Sequence, residues 1–212
     1  MMLTWTQTFA RPSRIPAVWV VENGVLEPTA TNFGVATSGD GARFEPGDYL
    51  TMPDTTLDVT LGTGDFTLGA EFTIHGTVPA SGSAFTDFIF WSPFASGSQA
   101  MNYEFGYNHT AQQFHLSTSN SGNAALYRTF PFALALNTLY KVEMTREAGV
   151  LACWVNGTKI GESAFTVNIA HNVITPIKFG RRIGGTAGEV VWSSNMTLKN
   201  LYIAKVGRSS FY

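Results

Sequence analysis

Hydrophobic and polar residues alternate with a period of two along much of this chain, a pattern that predicts β-strands. Between Phe66 and Ile74, every second residue is apolar and falls on one face of the predicted strand. Residues 85–91 are apolar almost throughout, which is typical of a strand covered on both faces. Pro131 argues against a helix within residues 124–139, and no apolar stretch with helical spacing extends much beyond about ten residues.

Turn-forming residues separate about a dozen short segments of this kind. Asn23-Gly24 and Asn156-Gly157 each predict a two-residue hairpin turn, because Asn and Gly tolerate the positive φ angles that such turns require. The predicted strands are residues 17–21, 41–44, 49–52, 66–74, 85–91, 103–107, 113–117, 140–146, 151–155, 158–161, 177–183 and 196–205. Short strands at this spacing indicate an all-β protein built as an antiparallel two-sheet sandwich or jelly roll.

The length of 212 residues fits a single domain, without internal repeats or a long linker. The one change of pattern lies near the start, where Pro12, Pro16 and Pro28 interrupt residues 1–37. Two interpretations of residues 1–37 stay open: an N-terminal arm that crosses the sandwich or reaches a neighbouring subunit, or an edge strand with its loops. Residues 38–212 then form the jelly-roll domain.

The composition excludes several classes of protein. Apolar residues make up 44% of the chain and charged residues only 13%, which excludes intrinsic disorder. The 13 basic residues are balanced by 15 acidic ones, so nothing favours a nucleic-acid partner. No apolar run reaches the roughly 18 residues of a membrane span, so no membrane insertion is expected. Residues 1–10 lack a signal-peptide pattern and Cys153 has no cysteine to pair with, so we expect synthesis in a cytoplasm and a buried, unreactive thiol.

Three groups of segments, taken in order, resemble one fold family. The first is GARF at 41–44, GDYLTMP at 47–53 and GDFTLGAEF at 64–72; the second is NTLYKVEMTR at 137–146 with 151–155 and NGTKIG at 156–161; the third is IKFGR at 177–181 with MTLKNLYI at 196–203. Together they resemble the concanavalin A-like, laminin-G-like jelly roll over residues 33–212. The resemblance implies the fold, whereas function depends on sites added to it.

The C-terminal residues 201–212 resemble the closing strand and tail of such domains in bacteriophage virion proteins. This resemblance implies a structural protein of a phage tail, tail fibre or head decoration, made in the host cytoplasm and located in the virion. Its expected partners are further copies of the chain, other virion proteins and a cell-surface glycan. The alternative is a stand-alone carbohydrate-binding lectin module.

The sequence lacks the motifs of several enzyme classes. Retaining glycosidases with the jelly-roll fold have a Glu-x-Asp-x-x-Glu strand, and none of the nine Glu residues has Asp two positions later. No Gly-x-Ser-x-Gly elbow is present, and the four histidines show no zinc-binding spacing. We therefore expect a non-enzymatic protein, with a glycoside hydrolase of unfamiliar active site as the remaining alternative.

The candidate ligand-binding residues are polar or aromatic positions that strand alternation directs away from the core. Alternation places Tyr103, Phe105 and Tyr107 in the core and their neighbours on the other face. The candidates are Asn102, Glu104, His115, Arg128 and Trp154, which we expect to line one concave face. The alternative for these residues is a solvated face or a subunit contact.

A metal site is implied only by the resemblance, since laminin-G-like domains often hold one calcium ion at the sandwich rim through carboxylates and carbonyls. No segment of this sequence resembles a calcium loop. The candidate calcium ligands are Asp87 and Asn108, and no other cofactor is predicted.

Overall fold

The computed structural model describes residues 17–26, 28, 30–52, 61–76, 87–91, 103–118, 126–169, 177–183, 190–193 and 195–210. Its strands are β1 Ala17–Glu22, β2 Val25–Leu26, β3 Thr31–Phe33, β4 Ala36–Ser38, β5 Gly41–Phe44, β6 Tyr49–Met52, β7 Phe66–Ile74, β8 Asp87–Trp91, β9 Glu104–Asn108, β10 Gln113–Thr118, β11 Leu126–Pro131, β12 Leu139–Glu147, β13 Val150–Val155, β14 Thr158–Ala164, β15 Ile177–Phe179, β16 Arg181–Ile183, β17 Val190–Ser193 and β18 Met196–Ala204. A single 3-10 turn, Arg208–Ser210, is the only helical segment in the described ranges. The all-β prediction is confirmed.

A sheet of nine strands, here called the large sheet, dominates the molecule. Its order is β14-β13-β12-β7-β18-β1-β2, with β5 paired to β18 and β4 to β5. All of its described pairings are antiparallel. The alternation in β7 determines which face is covered, because Phe66, Phe72 and Ile74 are completely buried whereas Glu71 and Thr73 on the other face are partly exposed.

A second antiparallel sheet, here called the facing sheet, has the order β11-β10-β9-β8. Its apolar face includes Phe105 and Phe114, which belong to the same buried cluster as the core side of the large sheet. Aromatic rings connect the two sheets: the centroid of Phe132 lies 6.1 Å from that of Phe114 and 5.9 Å from that of Tyr140. The two apolar faces therefore form one core, as in a β-sandwich.

The predicted hairpin turns form as the sequence indicates. Asn23 and Gly24 have φ angles of 48° and 79°, and Asn156 and Gly157 have 50° and 82°. Two positive φ angles in succession are the requirement of the type I′ turn. The segment predicted as one strand over residues 177–183 is instead divided into β15 and β16 by Gly180, whose φ of 81° interrupts the extended backbone.

The sequence did not predict β2, β3, β4, β11 and β17. Most of these strands are short, and β3 and β4 are exposed at every residue, so they lack the alternation that identifies a half-buried strand. Pro131 stands at the end of β11, where a missing backbone donor costs little. The expectation that residues 124–139 contain no helix agrees with the described part, residues 126–139.

The N-terminal region contributes to the large sheet. Strand β1 pairs with β18 and β2 pairs with β1, which places this hairpin at the sheet edge. Val20 and Val21 are completely buried in the core. Residues 17–38 thus contribute strands to the sandwich, while residues 1–16 lie outside the described part of the chain. Within the described ranges, no helix is long and apolar enough to cross a membrane.

Candidate functional site

Two of the predicted ligand-binding residues meet on the facing sheet. His115 on β10 and Glu104 on β9 lie on the face opposite Phe105 and Phe114, and His115 Nε2 is 3.1 Å from Glu104 Oε1. The predicted face is therefore correct. The predicted exposure is wrong, because both side chains are buried, with 0% of His115 and 2% of Glu104 exposed.

Tyr127 on β11 is the exposed neighbour of this pair. Its ring stacks on the imidazole of His115, with centroids 5.1 Å apart and an interplanar angle of 27°. Tyr127 is 44% exposed, so it presents an aromatic surface to solvent that the buried His115–Glu104 pair supports from below. Tyr127 is not among the residues predicted from the sequence, because nothing in the local pattern identifies β11 or its register.

The expectation that all candidates line one concave face is wrong. Arg128 pairs in register with Leu116 and Phe105 across the facing sheet, and so belongs to the opposite face from His115. Trp154 lies on β13 of the large sheet. Register explains the error at Arg128, since a shift of one position transfers a side chain to the other face of a strand. The error at Trp154 is one of sheet assignment, which strand alternation does not report. Asn102 lies outside the described residues.

Trp154 lies on the outer face of the large sheet beside the C-terminal segment. Its indole Nε1 donates a hydrogen bond of 3.1 Å to Thr145 Oγ1. The guanidinium carbon of Arg208 lies 4.0 Å from the Trp154 ring centroid, and Arg208 Nε donates to Glu143 Oε2 at 3.0 Å. An indole and a carboxylate thus hold one guanidinium between them.

Glu143 is the buried acid of this outer face, with only 2% of the residue exposed. Burial favours the protonated carboxyl, but Lys141, the hydroxyl of Tyr202 and Arg208 together outweigh it, so the pKa of Glu143 is held below its usual value. Lys141 Nζ lies 3.3 Å from Glu143 Oε1, and the Tyr202 hydroxyl donates to the same oxygen at 2.7 Å. The group therefore stays ionised at neutral pH.

An open cleft lies beside the β1–β2 hairpin, at the other end of the same outer face. It has a volume of about 380 Å³ and is lined by Trp19, Glu22, Asn23, Val25, Leu26 and Pro28. The Trp19 ring packs on that of Tyr202, with centroids 4.8 Å apart and a tilt of 38°. A partly exposed indole, a carboxylate and a backbone turn therefore meet around one concavity.

Hydrogen bonds fix the polar side of this cleft. The backbone N–H of Asn23 donates to Asn200 Oδ1 at 2.9 Å, and Asn200 Nδ2 donates to Glu71 Oε2 at 2.6 Å. Lys199 Nζ lies 3.8 Å from the other oxygen of Glu71. The Asn23-Gly24 turn can be predicted from the sequence, but the cleft cannot, because only the pairing of β1 with β18 places Trp19 against Tyr202.

The candidate calcium ligands are neighbours in the facing sheet. Asp87 and Asn108 stand opposite each other in the β8–β9 pairing, although the side chain of Asp87 lies outside the described part. The Oδ1 atom of Asn108 accepts a hydrogen bond of 2.7 Å from the N–H of Ala111 and so stabilises the following turn. Among the described residues, no group of three or more His, Cys, Asp or Glu could hold a metal ion. Calcium binding stays a prediction.

Cys153, His109 and His75 are packed or hydrogen-bonded within the fold. Burial raises the pKa of the Cys153 thiol, which is completely enclosed in the core, as the sequence analysis expected of an unreactive cysteine. Burial also lowers the pKa of His109 to about 4. His109 packs edge-on against Tyr107 at 5.0 Å, and His75 bonds Asn137 and Thr197.

Comparisons with known proteins agree with this architecture. A family model described as the concanavalin A-like lectin/glucanases superfamily matches residues 40–195. No curated protein sequence matches the chain significantly. Among solved structures, the chain is similar to carbohydrate binding module CBM66 from Bacillus subtilis, with 12% identity and a TM-score of 0.50 over 83% of this chain and 95% of that one.

Two further solved structures are similar over most of this chain. Trypanosoma rangeli sialidase in complex with sialic acid has 15% identity and a TM-score of 0.57, covering 92% of this chain and 31% of that one. The botulinum neurotoxin serotype D binding domain has 9% identity and a TM-score of 0.55, covering 92% of this chain and 44% of that one. The chain thus spans less than half of either protein, and identities this low show a shared fold alone.

Proposed function

Because the chain belongs to the concanavalin A-like lectin/glucanases superfamily, we propose that it is a non-catalytic carbohydrate-binding domain whose sugar site is the cleft beside the β1–β2 hairpin. The observation that supports this proposal most directly is the cleft itself, which combines the indole of Trp19 with the polar groups of Glu22 and Asn23 in about 380 Å³. The volume falls within the range of small-molecule sites.

The chemistry of the cleft fits a sugar ring. A pyranose has an apolar face that can lie on an indole and hydroxyl groups at its edge that need hydrogen-bond partners. Trp19 supplies the first surface, and the carboxylate of Glu22 accepts from hydroxyls. The bonds from Asn23 to Asn200 and from Asn200 to Glu71 hold the turn in place before a ligand arrives, which lowers the entropic cost of binding.

The acidic residues around the cleft support the non-catalytic part of the proposal. A retaining glycosidase needs two carboxyl groups about 5 Å apart on the two sides of the scissile bond. Glu22 lines the cleft, whereas the oxygens of Glu71 are engaged by Asn200 and Lys199. The similarity to the Bacillus subtilis carbohydrate binding module, which this chain covers over 95% of its length, also supports a binding role.

The test is a glycan-array screen of the complete chain, followed by calorimetric titration of the best glycan against variants. We expect Trp19→Ala to abolish detectable binding and Glu22→Gln to weaken it about tenfold, the usual effect of a lost charge-assisted hydrogen bond. Glu45→Gln is the matched control, because Glu45 lies on the exposed β5–β6 turn. Trp19→Phe shows whether an aromatic surface suffices in a correctly folded protein.

Two results would contradict the proposal. Undiminished binding by Trp19→Ala would exclude the cleft. Loss of binding on Tyr127→Ala, with Trp19→Ala unaffected, would assign the sugar to the facing sheet, where Tyr127 stacks on His115.

We also propose that the domain is displayed on a phage particle, as a tail, fibre or head-decoration subunit that contacts a host-surface glycan. The C-terminal sequence resemblance supports this role. Leu136 and Leu139, close together in the chain before and at the start of β12, are 49% and 50% exposed, and a subunit contact at this position would remove both side chains from water.

The mass of the purified protein in solution, from light scattering with and without a calcium chelator, tests the subunit role. We expect a defined oligomer at low concentration. A monomer at every concentration would contradict a self-assembling subunit, and a chelator-dependent mass would support the predicted calcium ion.

A further inference from the structure

We propose that the outer face of the large sheet contains a second aromatic subsite at Trp154, which Arg208 covers in the free protein, so that the ligand is an oligosaccharide extending from Trp19 to Trp154. This inference rests on the proposed carbohydrate-binding function. Beyond that function, it specifies the length of the ligand and identifies Arg208 as a side chain that competes with the ligand for Trp154.

The register of the large sheet aligns the two tryptophans. Trp19 pairs with Tyr202, Tyr202 with Gly69, Gly69 with Glu143, and Glu143 with Trp154, each on the next strand of the sheet. Residues paired in this way point to the same face. Four strand spacings separate Trp19 from Trp154, which is about 19 Å at roughly 4.8 Å per spacing. The distance exceeds any single sugar, so only an oligosaccharide can contact both rings.

The residues between the two tryptophans are buried in the free protein, with 8% of Tyr202 and 2% of Glu143 exposed. Gly69 has no side chain, and the ring of Tyr202 occupies the space above it, where a Cβ would overlap the ring. The Tyr202 hydroxyl reaches Glu143 across the intervening strand β7. A ligand that follows this line therefore reaches the Glu143 carboxylate only after Arg208, which bonds Glu143 Oε2 at 3.0 Å, has moved away.

The residues after β18, here called the C-terminal strap (residues 205–210), lie over one end of this line. The strap has contacts that do not involve Arg208. Thr67 Oγ1 donates to the carbonyl of Val206 at 3.0 Å, and both the N–H and the hydroxyl of Ser209 donate to Glu147 Oε1 at 2.6 Å. The side chain of Arg208 can consequently leave Trp154 while the strap stays attached.

Arg208 occupies the place that a sugar would take at Trp154. Its planar guanidinium lies 4.0 Å from the Trp154 ring centroid and donates a hydrogen bond to Glu143. It therefore covers an aromatic face and occupies a carboxylate oxygen at the same time. A pyranose needs the same two partners. When Arg208 leaves, Lys141 and Tyr202 still contact Glu143 Oε1, and Oε2 becomes available to a sugar hydroxyl.

The experiment compares Arg208→Ala with the wild-type chain by calorimetric titration. The probes are the disaccharides and hexasaccharides of glucose, galactose and N-acetylglucosamine. We expect Arg208→Ala to bind one hexasaccharide about fivefold more tightly than the wild type does, the effect of removing one cation–π contact. Its affinity for the matching disaccharide should be unchanged, because Trp19 alone binds it.

Lys205→Ala is the matched control, since it removes one positive charge from the same strap at an exposed position. We expect it to leave both affinities as in the wild type. In addition, the hexasaccharide should protect Trp154 from acrylamide quenching in Arg208→Ala, a signal that Trp154→Phe would remove.

The outcomes separate this inference from the proposed function. If disaccharides bind and need Trp19, but Arg208→Ala gains nothing with any hexasaccharide, the second subsite is refuted and the first stands. An equal gain in Lys205→Ala would show a general charge effect and also refute it. If the glycan array also finds no ligand, and neither length of glycan binds any variant, both proposals fail.

Discussion

Tyr202 and Glu143 are joined by a hydrogen bond of 2.7 Å although strand β7 lies between their own strands. The bond is possible because Gly69 stands between them in register and has no side chain. Gly69 thus determines where the Tyr202 ring lies on the outer face of the large sheet. The ring packs against Trp19, and its hydroxyl helps to keep Glu143 ionised.

The first prediction concerns Gly69. In Gly69→Ala the new methyl group would overlap the Tyr202 ring, so the ring must move and its bond to Glu143 must break. We expect a loss of about 1–3 kcal/mol in the free energy of unfolding, as is usual for overpacking. Urea unfolding measures it. Gly39→Ala is the control, because no atom lies within 4 Å of its added Cβ; equal losses in the two variants would contradict the argument.

The second prediction concerns Arg146, whose guanidinium is completely buried. It donates to the carbonyls of Gly64 and Val167 at 2.7 Å and to that of Gly62 at 2.8 Å, and it lies 4.8 Å from the ring of Phe66. Replacement by Met removes these three donors, although the carbonyl of Gly62 still accepts a hydrogen bond of 2.8 Å from the N–H of Ile169. We therefore expect Arg146→Met to lower the free energy of unfolding by at least about 3 kcal/mol in urea titrations.

Arg43→Met provides the comparison for Arg146. Arg43 also donates to backbone carbonyls, but its side chain is 31% exposed, so water can replace the lost bonds. Its substitution should cost clearly less. A loss at Arg43 as large as that at Arg146 would show that burial is not the reason for the effect.

The third prediction is a pH dependence from Glu143. Its pKa in the folded protein lies below the ordinary value of 4.5, so the ionised carboxylate stabilises the fold above that pH. The contribution is lost as the pH falls through the folded-state pKa. The wild type should exceed Glu143→Gln by about 2 kcal/mol in unfolding free energy at pH 7. Unfolding measured between pH 7 and pH 3 should show this difference shrinking only below about pH 4.5; a constant difference would contradict the role of the charge.

The fourth prediction concerns the N-terminal strands. A chain that starts at Asn32 lacks β1 and β2, and with them the buried Val20 and Val21 and the partner of β18. We expect this chain to unfold at a markedly lower urea concentration, or to aggregate through the uncovered edge of β18. If it stays as stable as the complete chain and loses only assembly, residues 1–31 act as an arm after all.

Much of the local structure of this protein can be predicted from its amino-acid sequence alone. The alternation over Phe66–Ile74 placed the bounds of β7 and its buried face, and the two Asn-Gly pairs placed type I′ turns. It also placed Glu104 and His115 on the face opposite the core. These features depend on the direction of side chains along one strand and on the backbone preferences of one turn. Both can be read from a few consecutive residues.

Which residues act together depends on the packing and register of the strands. Strand register put Tyr127 rather than Arg128 beside His115, sheet order put Trp19 against Tyr202, and the path of the C-terminal strap put Arg208 on Trp154. Each of these contacts joins residues from different strands or segments of the chain. A period of two assigns a residue to a face but says nothing about which strand lies beside it, and so the candidate site required the packed sheets to be known.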